Sequence, residues 1–183
     1  MTTVLTVGHG RLAAEELAAL LDGAGVERLV DVRSYPGSRA NPQFGREAME
    51  RWLPAAGIVY AWERDLGGRR QRVKGSPHHA LRNEAFAAYA DHMETDAFLA
   101  GVERLLEVAS EDRTAVMCSE AVWWRCHRRL LADHLVLVRS VEVRHLMHDG
   151  RLTEHAVTDG ARLDGDRVVY DVGVTAPLLG SDG

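Results

Sequence analysis

One short segment holds both cysteines of the chain together with a carboxylate, a histidine and several arginines. It runs from Cys118-Ser119-Glu120 to Arg125-Cys126-His127-Arg128, directly after an apolar run at 114–117 that predicts a buried strand. The residues that follow, through Leu135, predict a helix. A thiol between a strand and a helix N-terminus is well placed to ionise, because backbone N–H groups and the helix dipole stabilise negative charge there. The segment therefore predicts a site that handles anions.

We predict different roles for the polar residues of this segment. Cys118 is a candidate nucleophile or redox thiol with a lowered pKa, although a buried cysteine is also a common packing residue. Cys126 is predicted to pack inside the helix, on a different side from His127. Glu120 and His127 are candidates for a general acid or base, and the simpler alternative for Glu120 is a surface ion pair with a nearby arginine. Because no C-x-x-C pair is present, the sequence predicts no metal and no cofactor.

Strands alternate with helices along the chain, which indicates an α/β fold with a mainly parallel sheet and helices on both faces. We predict strands near residues 2–7, 26–32, 58–62, 114–117 and 141–146. We predict helices near residues 12–22, 47–55, 83–93, 96–109 and 119–135. A glycine turn near 163–170 predicts a small C-terminal hairpin, and the length suits a single α/β domain over residues 1–183.

Two further polar groups are predicted to follow strands of this sheet. His9 follows the first strand as a candidate catalytic group, and Asp31 and Arg33 end the second. Asp31 would orient a partner and Arg33 would bind an anion, or the two would form a structural pair; Arg39 could add a second guanidinium for phosphate or carboxylate. Ligands of such sheets bind outside the carboxyl ends of the strands, so His9, Arg33 and Cys118 should surround one cleft.

Composition limits the class of protein. The chain has 183 residues, a net charge of −5 and 46% hydrophobic residues, with no apolar run as long as the roughly 20 residues of a membrane span. The start of the sequence lacks the basic segment of a signal peptide, so with two cysteines we expect a reducing cytoplasm and no membrane. Composition does not indicate an oligomeric state.

Arginine is the principal basic residue, since Lys74 is the one lysine among 22 basic residues. Only the placement of an arginine is therefore informative. Arg69 belongs to a basic stretch at 64–74, and Arg125 and Arg128 flank Cys126-His127. All three are candidate anion ligands, and the basic stretch is either a solvated loop or a contact for phosphate groups of a nucleotide or nucleic acid.

Several separated motifs resemble one known family. They are Thr6-Val7-Gly8-His9, Leu29–Arg33 with Tyr35–Arg39, Leu66–Arg69, and Met117–Glu120 with Cys126-His127-Arg128. In this order they resemble the bacterial and archaeal family known as domain of unknown function 488. The resemblance runs from about Val4 to His155 and implies a single α/β domain without an established activity.

A more distant likeness connects the chain to rhodaneses, which also have an aspartate-valine-arginine strand end and a later cysteine between strand and helix. In that group the cysteine carries a persulfide or binds an oxyanion inside a loop of backbone amides. Here the residues after Cys118 include no glycine until Gly150, and Glu120 with Trp123-Trp124 would crowd or repel an anion. The likeness therefore does not predict sulfur transfer.

The sequence thus predicts a cytosolic protein that binds a small anionic or phosphate-containing ligand at the strand ends. Chemistry there would depend on the Cys118 thiol, as in a transferase or hydrolase, or on His127 and Glu120, as in phosphoester cleavage, with His9 as a further catalytic candidate. The alternative is a non-catalytic module that binds nucleic acid or regulates a partner.

Overall fold

The structure, a computed structural model, describes residues 2–173 and alternates strands with helices over most of that range. Its strands are β1 (Thr3–Gly8), β2 (Arg28–Asp31), β3 (Val59–Trp62), β4 (Thr114–Cys118), β5 (Glu142–Leu146), β6 (Leu152–Glu154), β7 (Ala161–Asp164) and β8 (Arg167–Tyr170). Its α-helices are α1 (Ala14–Gly23), α2 (Arg46–Ala55), α3 (Glu84–His92), α4 (Asp96–Glu111) and α5 (Arg128–Leu137). The predicted domain of residues 1–183 includes Met1 and residues 174–183, which lie outside the described residues.

Six strands form one sheet in the order β3-β2-β4-β1-β5-β6, and β7 pairs with β8 in a separate antiparallel hairpin. The first five strands of this order are parallel, and β6 is antiparallel to β5. The predicted α/β class, the mainly parallel sheet and the C-terminal hairpin are therefore confirmed. Strand β6 was not predicted, because three residues are too few to show an alternating pattern.

Both faces of the sheet are covered, because successive side chains of a strand point to opposite sides. In β1, Val4 packs into one hydrophobic cluster, whereas Leu5 and Val7 pack into a second. The first cluster includes residues of α3, α4, α5 and the hairpin, and the second includes residues of α1 and α2. Cys118 belongs to the first cluster, so its side chain lies on the sheet face that α5 covers. Among residues 2–173, no helix combines the length and the apolar character that a bilayer crossing requires.

The helix predicted directly after Cys118 begins later than expected. Residues 119–127 form a loop with a short 3₁₀ helix at Trp123–Arg125, and α5 starts only at Arg128. The Trp123 ring stacks on the His145 ring of β5 with 4.1 Å between centroids and 7° between planes. This tertiary contact lies in the segment 119–127, which does not form the helix that its local propensity favours. Consequently Cys126 is not inside a helix, and it lies with His127 at the N-terminal end of α5.

Candidate active site

Three neighbouring strands end side by side at one edge of the sheet. In the register of the sheet, Gly8 of β1 pairs with Cys118 of β4, and Asp31 of β2 pairs with Met117 of β4. A cleft of about 1100 Å³, here called the site cleft, opens at this edge. His9, Arg33 and Cys118 all line it, as the strand pattern predicted.

The floor of the site cleft contains two cysteines and one histidine, which we call the thiol–imidazole cluster. The Nδ1 atom of His127 lies 3.8 Å from the Cys118 Sγ and 3.7 Å from the Cys126 Sγ. The three ligand-type atoms all lie within 4.8 Å of one another, and both cysteines are free thiols. The prediction that Cys126 and His127 diverge on a helix is therefore wrong, because the helix has not yet begun at these residues.

His127 is held in a defined orientation. Its Nε2 lies 2.9 Å from the backbone oxygen of Val32, which can only accept a hydrogen bond. Nε2 therefore carries a proton, and Nδ1 is the ring nitrogen that faces the two sulfurs. Gly68 packs against the same ring, and a Cβ at Gly68 would lie 2.5 Å from Nδ1.

Arg128 lies beneath the cluster with only 1% of its surface exposed. Its guanidinium donates from Nη2 to the backbone oxygen of Glu120 at 2.6 Å, from Nη1 to the Thr6 hydroxyl at 3.5 Å, and from Nε to the Cys126 Sγ at 3.3 Å. No carboxylate among residues 2–173 forms an ion pair with it. A buried charge is costly without a counter-charge, so negative charge on the Cys126 sulfur would be stabilised here.

The two thiols differ in acidity, in the opposite sense to the prediction. Hydrogen bonding to the Cys126 sulfur, and then burial, raise the pKa of the Cys118 thiol well above its usual range. Burial opposes ionisation of Cys126 too, but contacts with the Cys118 thiol and the His127 ring, together with the charge of Arg128, outweigh it and lower the pKa of Cys126. The lowered pKa predicted for Cys118 is therefore wrong, because the Arg128 guanidinium contacts the other sulfur.

Arg33 is bound mainly by Asp31. Its Nε and Nη2 atoms donate to the two Asp31 carboxylate oxygens at 2.8 and 2.6 Å, and Nη2 also donates to the backbone oxygen of Phe44 at 2.7 Å. The Tyr60 hydroxyl donates to Asp31 at 2.7 Å. Nη1 of Arg33 lies 3.4 Å from the His9 Nε2 and is the part of the guanidinium turned to that ring. This geometry favours the structural pair, with little of Arg33 left for an anion.

The His9 ring lies between Arg33 and Phe44, two residues of the loop after β2. Its ring stacks on Phe44 with 4.3 Å between centroids, and Nδ1 lies 2.9 Å from the backbone oxygen of Gly10. Burial lowers the pKa of His9 to about 4, and the charge of Arg33 adds to the shift. The ring is therefore neutral near pH 7, in the form that could accept a proton.

Most of the other predicted residues line the site cleft, but one does not. Arg69 and Arg125 line it, together with Glu120, whereas Arg39 is not among the lining residues. Arg11, which the sequence did not single out, also lines the cleft. Its position two residues after His9 in a turn could have identified it.

Sequence reasoning missed a buried polar chain formed by Thr6, His145, His155 and Asp133. The Thr6 Oγ1 lies 2.6 Å from the His145 Nδ1, the His145 Nε2 lies 3.0 Å from the His155 Nδ1, and the His155 Nε2 lies 2.8 Å from the Asp133 carboxylate. Since a carboxylate only accepts, each group donates to the next one towards Asp133. The chain begins at Arg128, which donates to Thr6 and to the Cys126 sulfur, and it therefore connects the thiol–imidazole cluster to Asp133 of α5.

Two buried histidines predict a loss of stability in acid. Burial lowers the pKa of His134 to about 4 and that of His145 to about 3, against 6.5 for an exposed ring. Below pH 6.5 the unfolded chain takes up protons that the native rings refuse, so the free energy of unfolding falls as the pH falls towards these values. At pH 5 each ring should cost roughly 2 kcal/mol relative to pH 7.

Urea unfolding at pH 8, 7 and 5 measures this effect. We expect little change from these rings between pH 8 and 7. A His134→Leu protein should lose about 2 kcal/mol less than the wild type between pH 7 and 5. Equal losses for the two proteins would show that His134 is protonated in the native state.

Fold and site together define an α/β protein with a polar cleft at the carboxyl edge of a mainly parallel sheet. Residues 13–135 match the family described as Domain of unknown function DUF488, so the chain belongs to that family. The match covers the thiol–imidazole cluster, Asp31, Arg33 and Arg128, and it confirms the resemblance found in the motifs. No curated protein and no solved structure matches the chain.

Proposed function

We propose that the protein is an enzyme that acts on a small phosphate- or carboxylate-bearing molecule bound in the site cleft. One observation supports this most strongly. Arg11, Arg69 and Arg125 line the same cleft as the thiol–imidazole cluster, and none of the three pairs with a carboxylate among residues 2–173. An anionic ligand would therefore meet guanidinium groups at the rim and reactive groups at the floor.

The charges around the cleft favour this proposal over a neutral ligand. Among residues 2–173, only two carboxylates line it, those of Glu16 and Glu120. Glu16 accepts the backbone N–H of Ala13 at 2.7 Å and is engaged in capping α1. The buried Arg128 adds positive charge beneath the floor. A cleft with an excess of positive charge concentrates anions even though the whole chain carries a net charge of −5.

We assign catalytic roles in this site from the chemistry of each residue type. The cluster of Cys118, Cys126 and His127 supplies sulfur and imidazole at the floor, and Glu120 is an exposed carboxylate at the rim. We assign Glu120 the role of a general acid or base towards a ligand above the cluster. Both routes, through sulfur or through His127 with Glu120, are part of the proposal.

A second candidate, a single-stranded nucleic acid, is favoured by one specific feature. The Tyr35 side chain is 64% exposed at the rim, and the guanidinium carbons of Arg64 and Arg69 lie 6.0 and 5.8 Å from its ring centre. An exposed ring beside cations is a platform on which a base could stack. However, Arg70 donates to backbone oxygens of its own loop and Arg72 pairs with Glu84, so the basic stretch is not one continuous face.

We expect Arg69→Gln and Arg125→Gln each to weaken the binding of inorganic phosphate or a mononucleotide by about tenfold, because each removes one charged hydrogen bond. Arg39→Gln is the matched control: it removes an arginine outside the cleft and should leave the dissociation constant unchanged. Calorimetric titration of the four proteins at two salt concentrations measures this.

A mixed-sequence oligonucleotide, titrated in parallel, separates the two candidates. Much tighter binding of the oligonucleotide, with a strong salt dependence that Tyr35→Ala weakens, would favour nucleic acid. If neither phosphate, a mononucleotide nor the oligonucleotide binds, or if Arg39→Gln weakens binding as much as Arg69→Gln, the proposed function is wrong.

A further inference from the structure

We infer that the thiol–imidazole cluster binds one zinc ion, with the sulfurs of Cys118 and Cys126 and the Nδ1 of His127 as ligands and a fourth position open to the site cleft. The inference deepens the proposed function by naming a metal for the same floor. It rests on that function only for the identity of the molecule at the fourth position.

The distances within the cluster fit zinc. Tetrahedral zinc, with bonds of about 2.3 Å to sulfur and 2.0 Å to nitrogen, places a nitrogen and a sulfur ligand roughly 3.6 Å apart and two sulfurs roughly 3.8 Å apart. The Nδ1 of His127 lies 3.8 Å from one sulfur and 3.7 Å from the other. All three atoms lie within 4.8 Å of one another, so a shift of at most about 1 Å at one sulfur completes the triangle.

The His127 imidazole is already held in an orientation that suits a metal ligand. Histidines that bind metals donate their other ring N–H to a backbone oxygen or a carboxylate, which fixes the tautomer and the ring orientation. The His127 Nε2 makes this bond to the backbone oxygen of Val32 at 2.9 Å. Gly68 provides an independent indication, because any side chain there would begin 2.5 Å from Nδ1 and would close off the ligand atom.

The charges around the cluster suit zinc with an anionic fourth ligand. Two thiolates balance the two charges of zinc, and the Arg128 N–H at 3.3 Å from the Cys126 Sγ is the kind of hydrogen bond that supports a ligand from the outer shell. Because the Arg128 guanidinium has no carboxylate partner among residues 2–173, one positive charge remains. A hydroxide, a phosphate oxygen or a carboxylate oxygen at the fourth position would balance it.

The ligand set selects zinc among the common metals and indicates a catalytic rather than a structural site. Two thiolates and an imidazole exclude the hard ions magnesium and calcium, which bind oxygen ligands. Structural zinc sites use four protein ligands, whereas catalytic sites use three and leave the fourth position to water or substrate. All three residues line the site cleft, as does Glu120, which would be the base for a water bound there.

Metal titration of the reduced, chelator-treated full chain tests the inference. We expect one equivalent of Zn²⁺ to bind in competition with a chromophoric chelator. We expect Co²⁺ in its place to give the intense visible absorption of a tetrahedral ion and a thiolate-to-cobalt band. Cys118→Ser, Cys126→Ser and His127→Ala should each weaken zinc binding by more than about 100-fold, since removing a ligand costs more than removing an outer-shell partner. His148→Gln is the matched control, because this histidine lines the same cleft and its Nε2 already contacts the Gly8 backbone oxygen.

The wild-type cobalt spectrum does not depend on the folding of any variant, so it decides the question if a variant fails to fold. No uptake by the reduced wild type, an octahedral cobalt spectrum without a thiolate band, or uptake that the three ligand variants retain would overturn the inference. Phosphate binding without zinc binding would overturn the zinc site alone. Zinc binding without any anion binding would overturn the proposed function and leave the zinc site intact.

Discussion

A Gly8→Ala protein is expected to lose about 3–5 kcal/mol of unfolding free energy, because its new methyl group meets atoms that cannot move freely. A Cβ at Gly8 would lie 1.7 Å from the backbone oxygen of Glu120 and 2.7 Å from the Nη2 of Arg128. These two atoms form a hydrogen bond of 2.6 Å with each other. The substitution therefore overpacks the strand end and also breaks a buried hydrogen bond of a charged group.

Urea unfolding at pH 7 measures the loss, and Gly23→Ala is the matched control. Gly23 ends α1, and a Cβ there meets nothing within 4 Å. We expect that control to change stability by less than about 1 kcal/mol, in the stabilising direction if at all. A Gly8→Ala protein as stable as the Gly23→Ala protein would mean that the loop after β4 moves at no cost. The close contact of Gly8 with Arg128 and the Glu120 backbone would then not contribute to stability.

The fold could be predicted because its pattern is local. Each parallel strand is a short apolar run between turn residues, and each helix shows its own apolar face, so the order of elements follows from windows of about ten residues. The meeting of His9, Arg33 and Cys118 needed one general rule in addition, that parallel strands end at the same edge. The site cleft was therefore predictable before any contact was known.

The interior of the site could not be predicted because it depends on contacts between distant residues. Residues 119–135 have a helical composition, and no local feature shows that Trp123 stacks on His145 instead. Cys126 lies outside the helix and next to Cys118, and the order of the two thiols is the reverse of the expected one. The exclusion of Arg39 from the cleft likewise depends on the path of an irregular loop.

One residue of the buried polar chain, Thr6, could have been identified from the sequence. Thr6 is a polar residue inside the apolar run of β1, and its side chain is almost fully buried. A buried hydroxyl requires a partner, which could have directed attention to the histidines of the chain. The partner itself, His145, lies 139 residues away and is found only once β1 and β5 are paired.

Replacing Asp133 by alanine is expected to cost about 3–5 kcal/mol, because Asp133 is the acceptor at which the buried polar chain ends. Its carboxylate is fully buried and accepts from the His155 Nε2 at 2.8 Å, the Thr158 backbone N–H at 3.0 Å and the Tyr170 hydroxyl at 2.8 Å. Alanine would leave all three donors buried without a partner. These donors come from the segment after β6 and from β8, so the loss should loosen the hairpin from α5.

Asp149→Ala is the matched control, since it removes a carboxylate whose ion pair with Arg151 is exposed. We expect that control to change stability much less than Asp133→Ala, because exposed pairs contribute little. Urea unfolding of both variants at pH 7 gives the comparison, and calorimetric phosphate titration below the transition shows whether the site cleft survives. A loss below 1 kcal/mol for Asp133→Ala would mean that water replaces the carboxylate, and the chain from Arg128 to Asp133 would then be a set of separate contacts. A large loss with phosphate binding retained would assign the chain to the support of α5 and the hairpin, leaving the chemistry to the residues that line the cleft.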